Sequence, residues 1–102
     1  QAIDLATTSG ARALQMEDEI GSLEVGKKAD VIIIKPNQPS PLLPQLFYDT
    51  LINDVDGADV ETVLVDGQVV VKDHELVNVD EEEVHHKVVE ETTALWKRAG
   101  AI

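Results

Sequence analysis

The chain has 102 residues, with 20 acidic against 8 basic side chains, a formal charge of −12, no cysteine and three aromatic rings. This length fits one domain or part of one, since domains run from about 50 to 250 residues, and a 43% hydrophobic content must build its core from Val, Leu, Ile and Ala. The acidity argues against a nucleic-acid or membrane partner, and the lack of cysteine excludes disulfides, a thiolate nucleophile and Cys-ligated metal.

No apolar run approaches the roughly 18 residues of a bilayer span and no signal peptide opens the chain, so a cytoplasmic globular piece is expected. Gln1 to Leu14 reads as helix from its first turn. Ala2, Leu5, Ala6, Ala13 and Leu14 recur at helical spacing and form one apolar stripe. No Ser, Thr, Asp or Asn precedes the stripe as an N-cap. The expectation is a chain that starts inside a longer one by truncation, with processing at a natural site as the alternative. Within the helix, Thr7-Thr8-Ser9-Gly10-Ala11 forms a thin face. Gly costs about 1 kcal/mol relative to Ala in a helix interior, and close approach to another element is the usual compensation. The bland alternative is a mildly disfavoured surface helix.

Ile20 to Gly26 places two glycines around a Leu/Val alternation, predicting a turn, a short extended stretch and a second turn. Val31-Ile32-Ile33-Ile34 predicts a strand, and its continuous apolar run implies burial on both faces. Pro36 ends it, and Asn37 to Gln45, with Pro39, Pro41 and Pro44, reads as an extended surface loop. Leu46, Tyr48, Leu51 and Ile52 are too irregular to assign, and Asn53 to Asp59 is acidic and turn-rich. Val60, Val63 and Val65, then Asp66-Gly67, then Val69, Val70 and Val71 spell a hairpin with a type I′ turn. A second turn over Lys72 to Glu75 leads to a short third strand at Leu76-Val77. The last helix is predicted over Glu81 to Ala99. Asp80 caps it with Glu83 in capping-box position, Val84, Val88, Leu95 and Ala99 make its stripe beside Val89 and Trp96, and Gly100 stops it.

Chemistry has few candidates. His85 and His86 are adjacent on the helix, so their side chains diverge by about 100° and do not chelate one metal together. Glu82, His86 and Glu90 have metal-ladder spacing, against which stands the reading of a solvated acidic face. His74 falls in a turn, as a surface residue rather than a base. Asp30, just before the strand, is expected to accept hydrogen bonds from nearby backbone N–H groups. Ser9, Ser22 and Ser40 have no histidine at a recognisable spacing. Gly21 to Lys28 is a near miss of a phosphate-binding loop, with Lys28 where a hydroxyl is required, and it lacks the strand before and helix after.

The order Ala6-Thr7…Gly10-Ala11-Arg12-Ala13-Leu14, then Ile20-Gly21-Ser22-Leu23-Glu24-Val25-Gly26-Lys27-Lys28-Ala29-Asp30-Val31-Ile32-Ile33, resembles the C-terminal signature of the amidohydrolase superfamily. It is most similar to the chlorohydrolase and cytosine, S-adenosylhomocysteine and methylthioadenosine deaminase branch, and Val63 to Val71 resembles that branch's closing hairpin. Asp73-His74 stands where such proteins often carry Asp-Gly, which puts that turn's type in doubt.

The resemblance implies a parent enzyme with a metal-dependent (β/α)-barrel, in which a divalent zinc or iron ion activates water to expel ammonia or another leaving group from a nitrogen heterocycle. The implied ligands (an HxH pair, two more histidines and an aspartate) are absent here, so no catalytic, cofactor-binding or metal residue is assigned in this chain. The implied organisation is the last barrel helix in 1–19, C-terminal β-sandwich strands in 20–79 and a closing helix in 80–102. Together these make an α+β piece with a small, mainly antiparallel sheet. Its implied partners are the missing N-terminal strands and barrel, and strand edges left bare predict a homo-oligomer or swapped dimer. The competing expectation is a free-standing acidic interaction module. The charge is uneven, with 13 of the 20 acids in residues 52–102, mostly in the hairpin region and on the outer face of the last helix.

Overall fold

The structure, a computed structural model, describes residues 2–37 and 43–102. It is an α+β arrangement in which four antiparallel strands form one sheet in the order β1-β2-β3-β4, with helices at both ends of the chain.

The first helix is broken where one continuous helix is expected. α1 (Ala2–Ala6) and α2 (Thr8–Ala13) meet at Thr7, whose φ and ψ are −128° and −93°. The cause is local. The Thr7 hydroxyl donates to the Ile3 carbonyl at 2.7 Å and the Thr7 N–H turns to Asp4, so the side chain takes the acceptor that a continuing helix would use. α2 ends on paired bonds from Gln15 N–H to Arg12 and from Met16 N–H to Ala11, which terminate it two residues past Ala13.

β1 (Val31–Ile34) forms as expected, but burial on both faces does not follow. It is an edge strand, and Ile32 and Ile33 keep 54% and 50% of their surface exposed. Of the proline segment, residues 38–42, with Pro39 and Pro41, lie outside the described residues. Pro44, read as loop, instead opens a short 3-10 turn (Pro44–Leu46) that runs into α3 (Phe47–Asn53), so the segment with no assignment is helical. Proline's fixed φ suits the first position of a helical turn. Phe47 and Tyr48 meet edge to face at a ring-centre distance of 5.4 Å. The acidic stretch contains a second 3-10 turn (Gly57–Asp59), held by Asp56 and Asp59.

β2 (Val60–Val65) pairs with β1 through Val31 opposite Leu64 and Ile32 opposite Val63, with a bulge at Ile33/Ile34. The hairpin to β3 (Gln68–Lys72) has the predicted turn, because Asp66 and Gly67 both take positive φ (50° and 77°). β4 is Glu75–Leu76, one residue earlier than read, and Val77 adds a backbone bond to Val70. Its turn also needs two positive φ values, supplied by Asp73 and His74 without glycine.

α4 (Glu81–Arg98) begins at Asp80, whose carboxylate accepts the Glu83 N–H at 3.1 Å. The Glu83 side chain pairs with Lys87. Gly100 N–H to Lys97 and Ala101 N–H to Trp96 close the C-terminal end. The core is thin. Among the described residues Ala11 is the buried hydrophobic side chain and Thr50 the buried polar one, and no large side chain is fully buried.

Candidate functional site

The tightest packing in the chain lies where α2 meets the Ile20–Ser22 turn. Gly21 has a φ of +96°, and a Cβ there would lie 2.7 Å from the Ala11 Cβ and 3.3 Å from the Thr7 carbonyl and the Thr8 Cα. The Thr-Ser-Gly-Ala face therefore does press against a neighbour, as the cost of Gly10 predicts. The contact leaves an open cleft of about 370 Å³ whose wall includes Thr7, Gly10, Ala11, Gly21, Leu23 and Asp30.

Asp30 is the carboxylate of that cleft. Its Oδ1 accepts the Asp66 N–H at 2.8 Å, and beside it the Ala29 carbonyl accepts the Gly67 N–H at 3.0 Å. The backbone-accepting role read from its position is what the structure shows. The donors come from the β2–β3 turn, far along the chain, rather than from neighbours in sequence.

The glycine-lysine loop is occupied by its own acids. Lys27 reaches Glu24 at 3.1 Å and the Glu17 carbonyl at 2.7 Å, and Lys28 reaches Glu19 at 3.3 Å. A strand rather than a helix follows the loop. Neither lysine is held out for a phosphate. Glu24 also accepts a short hydrogen bond from the Ser22 hydroxyl. That bond first, and the Lys27 bond and charge after it, hold the Glu24 carboxyl below the usual glutamate range.

The histidines lie elsewhere. His85 and His86 are exposed on the first half of α4, on the helix that also carries Glu82 and Glu90, and His74 is exposed in the β3–β4 turn with its N–H on the Glu61 carbonyl. Among the described residues, no three His, Asp or Glu side chains converge as a metal site. No described helix is long and apolar enough to cross a membrane.

Sequence reading missed Asp59 as an organiser. Its carboxylate accepts the Asn37 N–H at 3.2 Å and the Asp56 N–H at 3.0 Å, while its carbonyl accepts the Lys35 N–H at 2.8 Å. The signal was the Asp-x-x-Asp spacing from Asp56, an acid pair set to cap a helical turn.

The geometry is that of a junction, in which a small-residue helix face, a glycine turn and a carboxylate lock the start of a sheet. The family model described as "Amidohydrolase family" matches residues 1–70 of the chain. The chain belongs to the amidohydrolase family. Among amidohydrolase relatives, it is 47% identical over 88 residues to a 5-methylthioadenosine/S-adenosylhomocysteine deaminase of Caldanaerobacter subterraneus subsp. tengcongensis, covering 86% of this chain and 20% of that protein. It is 36% identical over 98 residues to a protein of the same description from Thermoanaerobacter pseudethanolicus, covering 96% and 23%. A solved amidohydrolase neighbour, an adenosine deaminase from Xanthomonas campestris with bound zinc, superposes with a TM-score of 0.77 at 28% identity, over 93% of this chain and 22% of its own. The chain thus spans about a fifth of the length of the curated relatives it matches.

Proposed function

We propose that this chain is the non-catalytic C-terminal part of a deaminase-type amidohydrolase, and that the whole enzyme hydrolyses a C–N bond on a nitrogen heterocycle. The observation that carries this reading is the 47% identity to a deaminase of which the chain spans only 20%. The divalent metal that such chemistry uses, zinc in the solved neighbour, does not fit this chain. Its described residues bring no ligand set together, so the ion belongs with the remainder of the enzyme.

In this reading residues 1–19 are the last helical segment of the barrel, 20–79 contribute sandwich strands and 80–102 close the chain as a helix. The role of the chain is scaffolding. The Gly21–Ala11 contact joins the helical segment to the turn ahead of β1, and the Asp30–Asp66 bond joins β1 to its hairpin, so the sheet is anchored to the helix at a defined place. The N-terminal strands and barrel are the partners that would cover β1.

A chimera tests this directly. Residues 1–102 replace the matching segment of the Caldanaerobacter deaminase, and ammonia release is measured with methylthioadenosine. The expected result is an active, zinc-dependent chimera, alongside no turnover by 1–102 alone. A folded chimera without activity, or deamination by the isolated chain, overturns the proposal.

A further inference from the structure

The last helix carries an apolar face that nothing in the chain covers. At 100° per residue, Val84, Val88, Leu95, Trp96 and Val89 fall within an arc of about 140°. Val88, Leu95 and Trp96 keep 57%, 56% and 51% of their surface exposed. The opposite side is polar, with Glu83 and Lys87 paired at 3.0 Å and Glu90 and Lys97 beside them. Both ends of the helix are specified, by the Asp80 cap and the Gly100 closure. A helix in water draws most of its stability from burying such a face, and here the face lies open. The chain as a whole is correspondingly spread, with a radius of gyration of 18.6 Å, against about 13 Å for a compact domain of 100 residues.

The extended placement of α4 is not peculiar to an isolated chain. The likeness to the solved neighbour runs over 93% of this chain and so reaches into α4, and it constitutes only 22% of that neighbour's length. One longer polypeptide therefore holds the same arrangement, and the space beside α4 is available to the rest of it.

We infer that the apolar face of α4 is an intramolecular docking face, seated on an apolar surface of the enzyme's remaining four-fifths. The inference rests on the reading of the chain as part of a deaminase-type amidohydrolase. It adds a named surface to that reading: Val88 and Leu95 at the centre of the contact, Glu90 on the side left in water. A second copy of the chain is the rival occupant. It is disfavoured because the shared arrangement occurs within single longer chains.

The absence of cysteine makes the test clean. Val88→Cys, Leu95→Cys and Glu90→Cys are each introduced into 1–102 and into the deaminase chimera, and alkylation by a maleimide is followed by peptide mass spectrometry. In 1–102 the three thiols are expected to react at similar rates. In the chimera, the thiols at 88 and 95 should react at least roughly tenfold more slowly, since a buried thiol waits on local opening, while the thiol at 90 keeps its rate. Equal rates at all three positions in the chimera overturn the inference, as does protection at 88 and 95 already in 1–102, which would show a second copy or the chain's own sheet on the face. Ammonia release is read separately, so an inactive chimera with protected thiols refutes the enzymatic reading and leaves the docking face standing. Two positions on the face keep the test intact if one substitution disturbs folding.

Discussion

The Asp30 carboxylate accepts the Asp66 N–H at 2.8 Å from 36 positions away, and so ties the start of β1 to the turn between β2 and β3. With the Ala29–Gly67 bond it sets both the place of the turn and the register of Val31 opposite Leu64. Asp30→Ala is expected to cost about 1 kcal/mol, the scale of a hydrogen bond to a charged acceptor at an exposed site. Amide exchange should then accelerate more at Asp66 than at Gly67, whose acceptor is backbone. Asp30→Asn, which retains an acceptor, should fall between. Unchanged exchange at Asp66 would remove this bond from the account.

Gly21 is under two separate constraints, a positive φ and the space taken by Ala11. Gly21→Ala should destabilise by about 2 kcal/mol, in the range of strain at unfavourable backbone conformations. Adding Ala11→Gly removes the steric part and leaves the backbone part, so the double variant should recover only some of the loss. Full recovery in urea unfolding would show that φ is irrelevant there, and no recovery would show that the contact is.

Glu24 supplies the pH dependence. The Ser22 hydroxyl and then Lys27 favour its charged form and lower its pKa. A carboxylate depressed in the folded chain contributes its stabilisation above the unfolded-state pKa and loses it as pH falls through the lowered folded-state value. The Gly21–Lys28 loop should therefore loosen only on the acid side. A carbon-detected NMR titration should place the Glu24 midpoint below the free glutamate range. Ser22→Ala should raise that midpoint, and an unmoved midpoint would refute the assigned cause.

β1 leaves one edge unpaired, with Ile32 and Ile33 exposed on its two faces. Bare strand edges pair with other chains, and a lysine on the edge suppresses this. The isolated chain is expected to associate with rising concentration in light scattering, and Ile33→Lys to shift it toward monomer. A strict monomer at high concentration would count against pairing through this edge.

Short-range features were legible in the sequence. Asp66-Gly67 announced its turn because few residue pairs tolerate two positive φ angles in succession. Asp80 and Gly100 announced the ends of α4 because orphan backbone groups need partners supplied nearby. The small-residue face at Thr7–Ala11 pointed to a close neighbour, although not to which one. What escaped was what depends on competition or distance. Thr7 broke the first helix because its hydroxyl took the Ile3 carbonyl, an outcome that helical periodicity does not weigh. Pro44 and α3 were hidden by an irregular apolar pattern on a short helix. Asp59 was passed over because two of its donors, Asn37 and Lys35, lie more than twenty residues upstream.

The amino-acid order alone determined the family resemblance, the strands, the hairpin turn and the capped final helix, because each rests on residues close together in the chain. Tertiary structure decided which residues meet, Gly21 with Ala11 and Asp30 with Asp66, and which are left in water. Four consecutive β-branched residues specify a strand, but whether Ile32 and Ile33 are covered depends on elements that must come from elsewhere. The same holds for the apolar face of α4. Burial is a property of the assembled surface rather than of the segment that carries it.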